Sequence, residues 1–167
     1  GIAPIISKEF SFSIPENKSS SKEILQRFPF VQGSVLVVLE NGKINHEASD
    51  LSAIPAGLVI KTLGEAKDIE DLKTHYNRYA DVQDDAFSAL NTAFANDGLV
   101  LVFDSKVVIE KPVYVVQVST SDNIAAIAHN RILVVAGKNA EAKISHLSVS
   151  KNENTETFSN TIIEIFA

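Results

Sequence analysis

The chain has 167 residues, of which 45% are hydrophobic and 22% charged, with a formal net charge of −6. This balance is typical of a folded globular protein, and the length suffices for one domain or two small ones. The acidic total, without any cluster of Lys and Arg, disfavours nucleic-acid binding, because such binding requires the phosphate charge to be offset. No apolar run is long enough to cross a bilayer and no signal-peptide pattern opens the chain, so we expect a cytoplasmic protein without membrane contact.

Cysteine is absent from the sequence. This excludes disulfides, thiolate ligands to zinc or iron–sulfur clusters, and cysteine nucleophiles within this segment.

The first part of the chain predicts a mobile arm followed by a short helix. Residues 1–22 are expected to be mobile, since Ser, Lys and Glu dominate their second half and apolar periodicity is weak. Ser20 and Glu23 have the spacing of a capping box, which predicts a helix that runs through Phe28 and stops before Pro29.

A β-hairpin is predicted next. The run 35–39 is strand-like, Asn41-Gly42 favours a tight turn with positive φ angles, and residues 43–47 form a plausible return strand. Residues 51–60 contain Pro55 and Gly57 and predict a loop that leads into a short extended stretch.

Residues 65–96 have helical periodicity. One amphipathic helix is indicated by the stripe Ile69, Leu72, Tyr76 and Tyr79, with His75 on its polar side. Asp84 or Asp85 can cap a second helix, whose apolar face would be Phe87, Leu90 and Phe94. Asn96-Asp97-Gly98 should end this helix, with Gly98 in the left-handed conformation.

From residue 98 onward the sequence predicts only short strands. They are rich in β-branched residues and separated by turns, which suits either a sandwich or a parallel β-helix with coils of about twenty residues. In the β-helix, the successive rungs would be 107–118, 132–147 and 161–166. The apolar run 162–167 stops in mid-pattern, so we expect a truncated β region whose open end supports self-association.

No motif for catalysis or metal binding emerges. The histidines His46, His75, His129 and His146 lack ligand spacing; His129 and His146 could meet on stacked rungs, but two solitary histidines are favoured, because metal sites need more ligands. The pairs Asp84-Asp85 and Glu70-Asp71 are better explained by helix capping than by acid–base chemistry. The segment Gly137-Lys138-Asn139 is a turn, since the other residues of a phosphate loop are missing.

Several sequence blocks together resemble the SufB/SufD family, and SufD-like subunits in particular. They extend in order from about Phe28 to the end of the chain, and they are the runs ENGK (40–43), LSAIPAGL (51–58), LGEA (63–66), DDAFSALNTAF (84–94) with DG (97–98), VVIEKPV (107–113), HNRILVVAGKNAEA (129–142) and FSNTIIE (158–164). Ser145-His146, where the family often has an acidic residue, and the loop 150–157 depart from the pattern.

The resemblance implies a mixed, mainly β protein. Residues 1–97 would form an α/β N-terminal region, and 98–167 would be the first coils of a right-handed parallel β-helix. It also implies a non-catalytic scaffold subunit that acts with SufB and the SufC ATPase in iron–sulfur cluster assembly. The absence of cysteine favours SufD over SufB. We assign no catalytic, cofactor-binding or metal residue and expect no cofactor in this segment.

Two other functions are compatible with the β-rich pattern. A carbohydrate-active β-helix enzyme would need converging carboxylates, whereas Glu110, Glu141 and Glu164 are scattered among aliphatic residues. A β-sandwich interaction module would differ from a β-helix in having antiparallel strands.

Overall fold

The computed structural model describes residues 21–80, 83, 85–95, 97–120, 126–150 and 157–167. The helices of this part of the chain are α1 (Ser21–Leu25), α2 (Glu70–His75) and α3 (Ala86–Phe94). Its strands are β1 (Val35–Glu40), β2 (Lys43–Ile44), β3 (Leu58–Thr62), β4 (Leu99–Phe103), β5 (Val113–Ser119), β6 (Ala126–Ala136), β7 (Ile144–Ser150) and β8 (Thr157–Phe166). The protein is therefore mixed and mainly β, as predicted.

The strands form two four-stranded sheets. Sheet 1 has the order β2-β1-β5-β7, and sheet 2 has the order β3-β4-β6-β8. Strands β1, β5 and β7 run parallel to one another, as do β4, β6 and β8; only β2 and β3 pair antiparallel. The antiparallel pairing expected of a sandwich module is therefore not found among strands β4 to β8.

From β4 to β8 the chain alternates between the two sheets. Leu99, Ile132 and Ile163 are register partners in sheet 2, and Val113 pairs with Ile144 in sheet 1. Partners are thus 31 to 33 positions apart. The predicted repeat of about twenty residues is wrong, because each return to the same sheet includes a strand of the other sheet and two connections.

Both sheets include strands from before residue 98. In sheet 1, β1 pairs with β5 in parallel along its whole length, and in sheet 2, β3 pairs with β4. The strands that precede and follow residue 98 therefore share one interior. Its buried apolar residues are Val35, Val37, Leu39, Leu58, Leu99, Leu101, Phe103, Ile109, Val113, Val115, Ile132 and Val134.

The outer faces of the sheets are covered by the helical segments. Val38, Val116 and Val118 on sheet 1 pack with Ile24 and Leu25 of α1. On sheet 2, a second cluster includes Val100, Leu133 and Val135, against which the segment from Leu63 to Tyr76 packs. Strands that are covered on both faces read as continuous apolar runs, which explains the sequence of β4 to β6.

The hairpin prediction is confirmed, although its second strand is shorter than expected. Asn41 and Gly42 have φ angles of 48° and 87°, and the return strand β2 contains only Lys43 and Ile44. Helix α1 begins with Ser21 and Lys22, the last two residues of the predicted mobile arm 1–22, and the rest of that arm lies outside the described residues. Helix α1 ends at Leu25, before Phe28, and its predicted capping residue Ser20 lies outside the described residues.

Helix α2 is shorter than its apolar stripe suggests. It ends at His75, because Tyr76 is extended and Asn77 has a φ of 58°. Tyr79 therefore lies beyond the helix. The departure of the backbone from the helix brings residues 77–80 to sheet 2, where tertiary contacts replace helical hydrogen bonds.

Helix α3 begins as predicted, but its buried face is polar. The Asp85 carboxylate accepts the backbone N–H groups of Phe87 and Ser88, which makes Asp85 the N-cap; Asp84 lies outside the described residues. The buried residues of the helix are Ser88 and Asn91, whereas Phe94 is 46% exposed. The helix packs against β6 and β8, where Phe87 contacts Phe158 and Phe94 contacts His129, so the predicted apolar face is only partly covered.

This exposure lowers the expected effect of truncating Phe94. A fully buried phenylalanine loses about 3–5 kcal/mol of stability on replacement by alanine. For Phe94→Ala we expect about 1 kcal/mol, since nearly half of the side chain already contacts water. Urea unfolding measures this difference, and a loss above about 3 kcal/mol would show that the residue is buried in solution.

Gly98 is required for a reason other than the predicted one. Its φ angle is not in the left-handed region. A Cβ atom on Gly98 would instead lie 2.6 Å from the Arg131 carbonyl oxygen and 2.5 Å from a Leu63 methyl carbon. The position demands glycine because the Arg131 backbone of β6 and the Leu63 side chain leave no room for a Cβ atom.

Candidate functional site: a buried polar clamp

A fully buried ion pair joins strands β6 and β8. The guanidinium of Arg131 and the carboxylate of Glu164 are 0% and 1% exposed, and Nη2 lies 2.9 Å from Oε2. Nε of Arg131 donates a second hydrogen bond of 3.2 Å to the same oxygen. Burying two charges is costly, so such a pair persists only when further hydrogen bonds satisfy both groups.

The remaining donors of Arg131 are all used. Nη2 also donates to the Asn77 side-chain oxygen at 2.7 Å, and Nη1 donates to Asn91 Oδ1 and Thr92 Oγ1 at 3.3 and 3.0 Å. The Tyr76 ring lies 5.2 Å from the guanidinium carbon, within cation–π range. With both bonds to Glu164, the five N–H groups of the guanidinium each have a partner.

Glu164 accepts three backbone N–H groups from the segment after α2. Its Oε1 accepts from Tyr79 and Ala80 at 3.0 and 3.3 Å, and its Oε2 accepts from Asn77 at 3.0 Å. Burial by itself would raise the pKa of Glu164, but the Tyr79 N–H, the Arg131 side chain and the Asn77 N–H outweigh burial and hold the pKa below its usual value. The carboxylate is therefore ionised at neutral pH.

Amide side chains attach α3 to the same two strands. Nδ2 of Asn91 donates to the backbone carbonyls of Asn130 and Asn160, at 2.9 and 2.8 Å. In return, the Asn160 side chain donates to the Phe87 carbonyl at 2.8 Å. We call the set Arg131, Glu164, Asn77, Asn91, Thr92 and Asn160 the clamp.

The hydrogen bonds of the clamp are those of a structural anchor rather than of a reaction centre. Its guanidinium has no free donor, and its carboxylate is engaged by four donor groups of the protein, as shown above. A substrate or metal ion could bind these groups only by displacing bonds that hold the fold together. Glu164, one of the three carboxylates considered for a carbohydrate-active enzyme, is thus committed to structure, while Glu110 and Glu141 are exposed side chains elsewhere.

The clamp was not predicted from the sequence, although a signal was present. Arg131 and Glu164 are each the only charged residue within an otherwise apolar strand segment, 131–136 and 162–166. A charge in a buried strand requires an opposite charge, so the two could have been paired by chemistry. The two residues are 33 positions apart, and the sequence does not give the strand register that brings them together.

His75 was predicted to lie on the polar side of its helix, and this is wrong. The side chain is 7% exposed, its ring stacks on Phe166 with 3.7 Å between centroids, and Nδ1 lies 2.6 Å from the Tyr79 hydroxyl. The end of β8 supplies Phe166, which covers the face of α2 that helical periodicity assigns to solvent.

His129 and His146 lie on different sheets. His129 is in β6 of sheet 2, opposite Asn160, and His146 is in β7 of sheet 1, opposite Val115. The two histidines are therefore not neighbours on stacked strands. His146 is exposed, but His129 is 8% exposed, lies between Phe94 and Phe158, and has no hydrogen-bond partner on either ring nitrogen.

The surroundings of His129 predict a loss of stability in weak acid. Burial lowers the pKa of His129 below its usual 6.5. The unfolded chain therefore binds a proton more readily than the folded one, and stability falls as the pH drops below about 6.5. His129→Phe, which fits an aromatic environment, should lose less stability than the unmodified chain between pH 8 and pH 5.

Urea unfolding at both pH values tests the role of His129. The matched control is His46→Phe, which replaces an exposed histidine and should retain the pH dependence of the unmodified chain. An identical pH dependence of the His129→Phe variant and the unmodified chain would contradict the prediction.

A second buried carboxylate lies in sheet 1. Glu40 at the end of β1 is 0% exposed; its Oε2 accepts from Ser21 Oγ at 2.7 Å and Asn45 Nδ2 at 2.6 Å, and its Oε1 accepts from Thr120 Oγ1 at 3.1 Å. Glu40 thus connects α1, the segment after the hairpin and the end of β5. Like the clamp, it is a fastening point.

The remaining positions considered as candidate sites lie in a turn or at the start of a helix. Gly137, Lys138 and Asn139 form the turn between β6 and β7, with Asn139 at a φ of 61°. Glu70 is the exposed first residue of α2. Within the described ranges, no group of three His, Cys, Asp or Glu residues could hold a metal ion. None of the helices described is long and apolar enough to span a membrane.

The fold and the clamp define the class of protein: a mainly β protein of two stacked, largely parallel sheets, in which buried polar groups fasten helical segments to the sheets. Residues 29–115 match the family model described as the SufBD protein N-terminal region. Because this match covers more than half of the chain, the chain belongs to the SufB/SufD family, and its family links it to iron–sulfur cluster assembly. A search of curated proteins gave no match.

Proposed function

We propose that this chain is a SufD-like, non-catalytic scaffold subunit of iron–sulfur cluster assembly, which acts in the cytoplasm with SufB and the SufC ATPase. The observation that carries the proposal is the match of residues 29–115 to the N-terminal region of the family. The absence of cysteine favours a SufD-like subunit over one that holds clusters through thiolates.

The strand arrangement supports a right-handed parallel β-helix as the scaffold. Parallel ladders connect β4, β6 and β8 in sheet 2, and β1, β5 and β7 in sheet 1, while the chain alternates between the sheets. Such coils stack their apolar interiors and present a rigid surface to partners. In this proposal residues 98–167 form the first coils of the β-helix, and β1 of the α/β N-terminal region extends the sheet 1 ladder in parallel.

The state of the buried polar groups also supports a scaffold role. The clamp and Glu40 use their polar groups to join elements of the fold, as the hydrogen bonds of both networks indicate. In this proposal the segment has no cofactor of its own, and iron–sulfur clusters are the cargo of the complex to which it contributes.

Co-purification with defined partners tests the proposal. The affinity-tagged chain is co-expressed with SufB and SufC of the same organism, and the complex is analysed by size-exclusion chromatography and mass spectrometry. We expect a complex that contains SufB, ATP hydrolysis that requires SufC, and lower activity of iron–sulfur enzymes in cells from which the gene is deleted.

Two experimental outcomes would count against the scaffold proposal. Failure to bind SufB or SufC, together with normal iron–sulfur enzyme activity in the deletion strain, would refute the proposal. Cleavage of a polysaccharide by the purified chain would favour the carbohydrate-active alternative instead.

We also propose that the chain self-associates through the outer edge of β8. Among the described strands, none pairs with this edge. Ile163 and Ile165 continue the interior rows of Ile132 and Val134 but remain 41% and 63% exposed. An exposed strand edge with aliphatic side chains favours pairing with the same edge of a second copy.

Light scattering over a range of concentrations tests this contact. We expect a dimer for the unmodified chain and a monomer for Ile165→Lys, because a charge on the edge opposes pairing. The control is Val59→Lys, on the edge strand β3 at the other end of sheet 2, which should remain dimeric. A monomer at all concentrations would refute the proposal.

A further inference from the structure

Two described segments of the N-terminal half form many polar contacts with sheet 2. They are residues 76–80 and α3, which we call the strap. The buried residues of α3 are the polar Ser88 and Asn91, whereas Phe87 and Phe94, which contact Phe158 and His129, are only partly covered. Its attachment depends on the bonds of Asn91, Thr92 and the Phe87 carbonyl described above.

The partners of the strap come from β6 and β8. Glu164 binds the backbone of residues 77–80, Arg131 binds three side chains of the strap, and Asn160 binds α3. All of these partners lie after residue 115, outside the segment that matches the N-terminal region of the family. The strap therefore lies inside the matched region, whereas the groups that hold it do not.

The hairpin of the same region depends on different contacts. Strand β1 pairs with β5, and its Val35, Val37 and Leu39 are buried in the interior shared by both sheets. Apolar burial of this kind remains when a charge on the outer face of sheet 2 is lost. The matched region thus contains one part anchored by the core and another anchored by the clamp.

We infer that the strap docks only when β8 is in place, and that loss of the Arg131–Glu164 contact releases the strap as one unit while both sheets stay folded. Docking of the strap depends on β8 because Glu164 lies in that strand. Its carboxylate accepts hydrogen bonds from three backbone N–H groups of the strap and from the Arg131 guanidinium. The clamp is thus a conformational coupling between the last described strand and the helical part of the N-terminal region. This inference does not depend on the proposed function.

Hydrogen exchange of the full chain with the variant Glu164→Gln tests the coupling. Glutamine keeps the size of the side chain but loses the charge, and its NH₂ group cannot accept hydrogen bonds. We expect amide exchange in peptides from residues 76–80 and α3 to rise by about tenfold or more, with unchanged exchange in β1 and β5.

The matched control is Glu40→Gln, which alters the other fully buried carboxylate. It should raise exchange around α1 and the hairpin and leave the strap protected. A second variant, Asn91→Ala, keeps the ion pair and removes the amide bonds; it should raise exchange in α3 with the sheets still protected. Unchanged strap exchange in Glu164→Gln, or equal increases in strap and sheets in both strap variants, would overturn the inference.

Discussion

Replacement of Arg131 by leucine is expected to lower the free energy of unfolding by about 3–5 kcal/mol, because it removes one partner of a buried ion pair and the contacts by which that pair holds the strap to sheet 2. The loss also removes donors from Asn77, Asn91 and Thr92, whose side-chain oxygens accept from the guanidinium. Urea unfolding measures the change. The control Arg78→Leu alters an exposed arginine of the same strap and should change stability by less than about 0.5 kcal/mol.

The pH dependence of this variant provides a second measurement. Since the pKa of Glu164 is held below its usual value of 4.5, its contribution to stability is present above that value and is lost as the pH falls through the folded-state pKa. Without Arg131, this acid-dependent contribution should shrink. A loss in Arg131→Leu no larger than in Arg78→Leu would show that the pair contributes nothing to stability.

Replacement of Gly137 by alanine is expected to cost about 2–3 kcal/mol, because the added methyl group meets backbone atoms. A Cβ atom there would lie 2.5 Å from the Ser105 nitrogen and 2.9 Å from the Phe103 carbonyl oxygen. The Gly137 N–H also donates to that carbonyl at 2.8 Å, so the two chains cannot separate without breaking a hydrogen bond.

Gly64→Ala is the matched control for this substitution. Gly64 is exposed, and a Cβ atom would come no nearer than 3.7 Å to the Thr62 hydroxyl. Its effect should stay within about 0.5 kcal/mol. Thermal unfolding of both variants separates close packing from the general cost of removing a glycine, and equal midpoints would contradict the prediction for Gly137.

Features that depend on neighbours along the chain were predictable from the sequence. Asn41-Gly42 predicted the hairpin because few other residue pairs adopt two positive φ angles, and Asp85 predicted the start of α3 because a carboxylate satisfies free N–H groups. The β character after residue 98 followed from β-branched runs. Family membership followed from ordered sequence blocks and agrees with the match of residues 29–115.

Features that depend on strand register were decided only by the tertiary structure. Arg131 and Glu164 become neighbours because β6 and β8 pair in one particular register, and Phe166 reaches His75 through that same register. The polar face of α3 is buried, although the hydrophobic pattern predicts burial of the apolar face. This is possible because the Asn91 side chain donates to backbone carbonyls of β6 and β8, and the Asn160 side chain donates to a backbone carbonyl of α3. Local propensity acts over a few residues, whereas the clamp joins residues 33 positions apart, so its position depends on how the sheets pack.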